Sequence, residues 1–278
     1  MPDDLAPGDR ALGDRDWSAL RVHHVRGPAD PDFALGYERL WAEFGARGEM
    51  ERRSVIAERL AWDPARPVGR ARLAYEMLLL RRAGELIAIR DHTAVVRIDA
   101  QGAPAPGPVV VHLSHALIEP AHRGGGLAAW LRALPLAAAR RCAAAAGCAP
   151  TTPIVLVAEM EPLTPAHPER LGRLRSYERA GFLKLDPAAA AYAQPDFRAA
   201  DLFASAPPEP VALELVVRRV GREHERTLPA AELTAIVDAI YSVYAAHVPE
   251  VALGPLQRAA AEWTQRTALF SLVSPLTT

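Results

Sequence analysis

Three groups of residues in this chain have types and spacings that could do chemistry. The first is Arg123-Gly124-Gly125-Gly126-Leu127-Ala128, which follows the apolar run Val109-Val-Val-His-Leu-Ser-His-Ala-Leu-Ile and leads into an alanine- and leucine-rich stretch. A strand passing through a glycine turn into a helix start makes an anion site. The first amides of a helix have no partners inside it, and the positive end of the helix dipole lies there too, so a phosphate satisfies both. The second group could move a proton: Glu119, Glu159 and Glu161, with His112 and His115. Alternation along Pro153-Ile-Val-Leu-Val-Ala-Glu-Met-Glu puts Val155, Val157, Glu159 and Glu161 on one side of a strand. A carboxylate in line with buried valines is costly unless partnered, which makes Glu159 the preferred base. The same alternation expects His112 and His115 on opposite faces of their strand. The third group is Tyr177-Glu-Arg-Ala-Gly181-Phe182, a phenol one helical turn before a glycine stop.

Those residues need elements to hold them. Leu20–Arg26 alternates weakly and suggests a strand; Asp32 or a neighbour starts a helix through Phe33, Leu40, Trp41 and Phe44, and a second helix spans Met50–Trp62. Tyr75–Arg82, the Ala83-Gly84 turn and the β-branched run from Glu85 read as an antiparallel hairpin. Asp99–Pro108 is a loop into the strand Val109–Ile118. The helix after the glycines runs from Leu127 to about Ala146, with Pro135 expected to kink or split it. A strand then returns from Pro153. Strand, helix and strand in this length imply a parallel, right-handed crossover. Glu169–Ala180 is a short arginine-rich helix ended by Gly181, followed by a strand over Phe182–Leu185 and a late strand over Val211–Val220, with a loop over 188–206 between them. Pro229–His247 and Leu256–Thr267 are helical, and so is the rest of the end of the chain.

Bulk properties bound the function. The 278 residues carry a formal net charge of -1, so no global field argues for nucleic acid or an anionic membrane, and phosphate binding has to be local. Lys184 is the only lysine. Cys142 and Cys148 lack companion histidine spacing and make neither a zinc site nor a disulfide framework, so no metal is expected. No basic start precedes an apolar segment and no run approaches about 18 apolar residues, which reads as a soluble, cytoplasmic protein.

The order Pro120-x-x-Arg123-x-x-Gly126-x-Ala128 resembles the pyrophosphate-binding signature of the GCN5-related N-acetyltransferases, Arg/Gln-x-x-Gly-x-Gly/Ala. Tyr177-x-x-x-Gly181-Phe182 is similar to the same family's Tyr-x-x-x-Gly-Phe block, and it follows the same crossover. The resemblance covers approximately residues 20–220. It implies an α/β (α+β) fold with a mixed, mostly antiparallel central sheet splayed at a central parallel strand pair, helices on both faces, and a C-terminal helical extension. The expected organisation is a flexible arm over 1–17, an acetyltransferase domain over 18–220, and helices over 221–278 packed on the same domain.

It also implies an acetyl-CoA-dependent N-acetyltransferase acting by direct transfer to a primary amine. The backbone of Arg123, Gly124, Gly125, Gly126, Leu127 and Ala128 would bind the coenzyme A diphosphate, and the amide near Ile118 would polarise the thioester carbonyl. Tyr177 would protonate the leaving sulfur, with Glu159 taking the amine proton through water. The acceptor is a small-molecule or peptide amine; no nucleic acid or membrane partner is expected, and a homodimer stays open. The chain departs from the family pattern at Arg170, where an asparagine is usual, and at Ser176, usually apolar. Those departures put contacts to the pantetheine end in doubt and support the alternative, a catalytically silent CoA-binding sensor or interaction module. A nucleotide loop is disfavoured: no Gly-x-x-x-x-Gly-Lys-Ser/Thr is present.

Overall fold

The computed structural model describes residues 4–198 and 200–277. Residues 1–3 of the expected N-terminal arm lie outside that range. The chain opens with a 3₁₀ turn at Pro7–Leu12, then strand β1 (Leu20–His24) and helix α1 (Pro31–Phe44). Asp30 caps α1 by accepting the Asp32 N–H at 3.0 Å, with Pro31 in the first helical position, where its missing donor costs nothing. Helix α2 (Arg53–Arg59) and β2 (Pro67–Val68) lead to the long hairpin β3 (Ala71–Arg82) and β4 (Glu85–Arg97). Its two turn residues, Ala83 and Gly84, take φ of 50° and 85°, the left-handed pair that a tight hairpin of this twist requires.

The motif strand comes as two pieces, β5 (Val109–His112) and β6 (Ala116–Ile118). The helix after it is likewise two, α3 (Leu127–Ala133) and α4 (Pro135–Ala146), as Pro135 required. Sitting first in α4, the proline has no donor to lose, and Gly147 at φ 80° closes the helix. Next come β7 (Ile154–Met160), α5 (Arg170–Arg179), β8 (Leu183–Leu185), the two-residue strands β9 (Ala193–Gln194) and β10 (Val211–Ala212), and β11 (Glu214–Arg219). The chain ends with β12 (Thr227–Pro229), α6 (Ala230–Ala245), α7 (Glu250–Arg266) and β13 (Leu269–Val273). That last strand corrects the all-helical reading of the end of the chain. Alternating Phe270 and Leu272 are buried, and β13 pairs with β8 and β12 at the sheet edge.

The main sheet runs β1-β3-β4-β5-β7-β11-β8-β13-β12, and among the described residues its only parallel pair is β5 with β7. This is the mixed, mostly antiparallel α/β architecture that the sequence implied, with helices on both faces. One face carries α3, α4 and α5 through Leu131, Leu136, Leu174 and Tyr177. The other carries α1 and α2, and further along the sheet α6 and α7.

The parallel pair is short, and the reason is local. β5 meets β7 from Val109↔Ile154 to His112↔Val157, and a last link runs from the Leu113 N–H to the Val157 carbonyl at 2.7 Å. β6 then pairs with β4 alone. Between the pairs Thr93↔His112 and Arg90↔Ala116, β4 advances three residues while the motif strand advances four, so one residue is extra. That β-bulge bends the strand away from β7.

The bulge is held by a buried charge. Asp91, fully buried, accepts the His115 backbone N–H at 2.7 Å, the His115 Nδ1–H at 3.0 Å and the Tyr75 hydroxyl at 2.9 Å. His115 Nε2 donates to the Glu49 carbonyl at 3.0 Å, which makes both ring nitrogens donors. Burial opposes charge on each group. It is outweighed at Asp91 by the imidazolium and its hydrogen bonds, which hold the carboxyl down at about 2, and at His115 by the carboxylate, which lifts the ring to about 9.

A folded-state pKa raised above its unfolded value contributes stability that is complete below about 6.5 and lost as pH rises through about 9. Folding stability, measured by urea denaturation, is therefore expected to decline from pH 6.5 to 9 with a slope that Asp91→Asn abolishes. That substitution leaves a buried imidazole without its counter-charge and is expected to cost about 3–5 kcal/mol at pH 7. A variant as stable as the wild type would remove the pair from its role at the bulge.

Candidate active site at the splayed strands

The turn after β6 is built to present amides. Pro120–His122 form one 3₁₀ turn, and Gly124 and Gly126 take φ of 77° and 86°, a conformation that L side chains resist. The N–H groups of Gly124 through Ala128 have no acceptor among the described residues. Arg123 does not extend toward them: its Nε donates to the Ile118 carbonyl at 3.0 Å and staples the turn to the end of β6. The N-terminal segment lies over the turn. A Cβ on Gly126 would stand 3.2 Å from Leu12 and 3.4 Å from Trp17, and the Arg15 guanidinium reaches the Gly125 carbonyl at 2.7 Å. Trp17 stacks on Trp130 of α3 with 5.9 Å between ring centroids. Gly125 is the open position, with only the His122 carbonyl within reach of an added Cβ, at 3.6 Å.

Ile118 sits at the last pairing of β6, opposite Ala88. The next amide, Glu119 N–H, bonds back to Ile87 at 3.0 Å, so alternation turns the Ile118 N–H away from β4 toward the gap left by the splay.

Glu159 lies near the end of β7, on the face covered by α6, and it has the partners its position demanded. It accepts His112 Nε2–H at 2.8 Å, the Tyr192 hydroxyl at 2.6 Å and the Tyr244 hydroxyl. Burial pushes this carboxyl up, but the His112 imidazole and the three donors outweigh that and hold it below the usual glutamate range. The two phenols move the other way: burial first, and the Glu159 charge next, raise Tyr192 and Tyr244 well above the ordinary tyrosine value. His112 is tied through Nε2, and its Nδ1 has only Ser114 Oγ, at the outer limit of 3.5 Å.

The expectation that His112 and His115 point to opposite faces is overturned by the bulge. With one extra residue between them, both rings enter the face of α1 and α6, His112 edge-on to Tyr244 at 5.7 Å and His115 against Phe44 at 5.0 Å. Glu161 is drawn off into ion pairs with Arg170 and Arg173, and Glu119 into one with Arg39.

Tyr177 stands on the opposite face from Glu159. It is 8% exposed, packed on Phe182 at 4.8 Å between centroids, and its hydroxyl has no hydrogen-bond partner among the described residues. The Arg132 guanidinium lies over its ring at 5.4 Å. Tyr244, which is 85 residues from Glu159, and Arg132 set the environments of Glu159 and Tyr177, and neither carried a signal in the sequence. The demand that a carboxylate in a valine stripe be partnered was readable; the partner's identity was not.

One acidic cluster elsewhere is already satisfied. His23, Asp30 and Asp32 bring three ligand atoms within 4.8 Å, but Asp30 caps α1 and Asp32 pairs with Arg81. No helix among the described residues is long and apolar enough to cross a membrane.

No protein-family model matches this sequence, and no curated protein does. Among solved structures the chain is similar to the ribosomal-protein-S18-alanine N-acetyltransferase from Escherichia coli, at 13% identity, covering 72% of this chain and 94% of that one with a TM-score of 0.37. It is also similar to an acyl-CoA N-acyltransferase from Pseudomonas aeruginosa, at 18% identity over 72% and 99% of the two chains with a TM-score of 0.36. An acetyltransferase of the GNAT family from Streptococcus pneumoniae aligns at 14% identity over 73% and 99%, with a TM-score of 0.37. The order of elements, the single parallel pair and the glycine turn after the motif strand are those that the sequence resemblance to the GCN5-related N-acetyltransferases implies.

Proposed function

We propose that this chain is an acetyl-CoA-dependent N-acetyltransferase that moves an acetyl group to a primary amine by direct transfer. The observation that carries the reading is the splay itself: β6 leaves β7, the turn that follows presents five amides with no acceptor among the described residues, and Glu159 with His112 stands on one face of the sheet and Tyr177 on the other. The turn fits a diphosphate. Its donors lack acceptors among the described residues, and Gly125 leaves room for close approach, while Leu12 and Trp17 cover Gly126 and Arg15 holds the Gly125 carbonyl. The bound thioester would supply an activated acyl group, and the chain's own groups would do the rest.

Gly124, Gly125, Gly126, Leu127 and Ala128 hold the diphosphate through their amides, with Arg123 ordering the turn from behind. The Ile118 N–H is a donor for charge developing on the acyl oxygen. Tyr177, with its hydroxyl uncommitted, donates a proton to the departing sulfur. On the acceptor side Glu159 acts with His112. A carboxylate already accepting three hydrogen bonds is a weak base, whereas an imidazole whose Nε2–H it accepts can take the amine proton at Nδ1, where Ser114 Oγ stands at the outer limit of 3.5 Å. Glu159 thus sets the tautomer and compensates the charge. The acceptor is a small amine or a peptide amino group; the near-zero net charge supplies no general attraction for a polyanion.

Two measurements test this. Calorimetric titration with CoA is expected to show binding by the wild type and by Gly125→Ala, and none by Gly125→Glu, which puts negative charge into the turn at a position that tolerates a Cβ. CoA binding by a stable Gly125→Glu protein would refute the turn as the diphosphate site. With an acceptor found from an amine panel, Tyr177→Phe, His112→Gln and Glu159→Gln are each expected to lower kcat by roughly 10²–10⁴-fold with CoA affinity little changed. The His112→Gln, Glu159→Gln double variant should be hardly slower than the worse single one, because the two act as a unit. Additive losses would separate them.

A further inference from the structure

The N-terminal segment is held against the sheet face of α3 and α5 by a buried ion pair that the acetyltransferase reading does not use. Asp9, 1% exposed, accepts Arg132 Nη2–H at 2.9 Å and Arg179 Nε–H at 3.2 Å. Arg132 belongs to α3 and Arg179 to α5, so one carboxylate bridges the two helices that flank the glycine turn and Tyr177. Arg132 is 3% exposed; its Nη1 donates to Ser176 Oγ at 2.9 Å, and its Nε has no acceptor among the described residues. Ser176 is one of the two departures from the family pattern, and this is what it does: a hydroxyl replaces an apolar side chain where a buried guanidinium needs an acceptor. Arg170, the other, is spent on Glu161.

Buried Arg132 and Arg179, whose side chain is 57% exposed, share one carboxylate, and Arg90, 1% exposed on the same face of β4, has neither an ion pair nor acceptors for Nε and Nη2 among the described residues. A buried guanidinium with an unsatisfied donor is unfavourable, and an anion of higher charge than aspartate can satisfy more of the Arg132 and Arg179 donors. The same segment covers the turn, with Leu12 and Trp17 over Gly126 and Arg15 on the Gly125 carbonyl. A ligand at the turn therefore has to move the arm, and moving the arm frees the two arginines.

We propose that Arg132 and Arg179 form an anion site for the phosphates of a diphosphate-bearing ligand, occupied here by Asp9 of the chain's own N-terminal segment, so that segment and ligand bind in exchange. The inference rests on the proposed cofactor, in that coenzyme A is the ligand expected to exchange with Asp9. It adds two residues to the site and gives residues 4–17 the role of an internal competitor.

Limited trypsin digestion of the full-length protein tests the exchange without relying on turnover, since Arg10 and Arg15 lie in the segment. CoA, and inorganic pyrophosphate supplied alone, are each expected to accelerate cleavage there, while sodium chloride of matched ionic strength is not. In parallel, Asp9→Asn should bind CoA more tightly than the wild type by about tenfold if the segment occupies the groove about nine-tenths of the time. Its segment should be cleaved rapidly with no ligand present. CoA binding that leaves the segment protected, with Asp9→Asn affinity unchanged or weakened, would overturn the exchange and leave the cofactor reading standing. Release by pyrophosphate with CoA silent would uphold the anion site and overturn the cofactor reading. A segment protected under both ligands in a protein that binds neither would overturn both.

Discussion

One carboxylate decides the geometry on which the rest of this structure depends. Asp91 bonds the backbone and the ring of His115, and the residue inserted between His112 and Ala116 has no place in the ladder unless something fixes the bend. Without the bulge, β6 would continue beside β7 and the sheet would close. With it, the motif strand leaves its parallel neighbour after Leu113, and the two strand ends separate. Burying an aspartate and a histidine together is not a cheap way to gain stability, since desolvation offsets much of their attraction. What the pair provides is position, because a satisfied buried network has one arrangement whereas apolar packing at the same point would tolerate a paired strand.

The bulge also settles which residues can meet. It rotates His115 onto the same face as His112, so one ring is consumed in the hinge and the other is left beside Glu159. The glycine turn and Tyr177 belong to the other face, with α3, α4 and α5. A group lying in the gap would therefore have the turn and a phenol on one side and a carboxylate–imidazole pair on the other. Division of labour between the faces follows from alternation along β7, where Ala158 and Met160 look toward Tyr177 while Val157 and Glu159 look toward α6.

Much of this was legible in the sequence because its signals are local. The hairpin turn, the proline that splits α3 from α4, the glycine stop after α5 and the strand–helix–strand crossover are each set by a few adjacent residues, and each formed where expected. The bulge was not legible. Leu113-Ser114-His115 reads as uninterrupted strand, and the reason it is not one lies in Asp91 on the neighbouring strand. The terminal strand β13 was hidden for a related reason: five residues after a long helix carry too little period to announce a strand, and its register is supplied by β8. Glu159 is the intermediate case. Its need for partners follows from its position among valines, but Tyr192 and Tyr244 arrive from a loop and a helix whose packing only the fold decides.

The two departures from the family pattern gain their meaning from the same long-range logic. Taken as isolated substitutions, Arg170 and Ser176 argue for a decayed site. In the fold they are parts of ion-pair and hydrogen-bond sets: Arg170 with Arg173 on Glu161, Ser176 with Arg132 and, through it, Asp9. Here the hydroxyl at Ser176 appears together with the buried guanidinium that needs it and the carboxylate that completes the set, contributed by three separate segments of the chain. A hydroxyl that satisfies a buried guanidinium has a structural reason to be there, so Ser176 taken alone does not mark a lost activity.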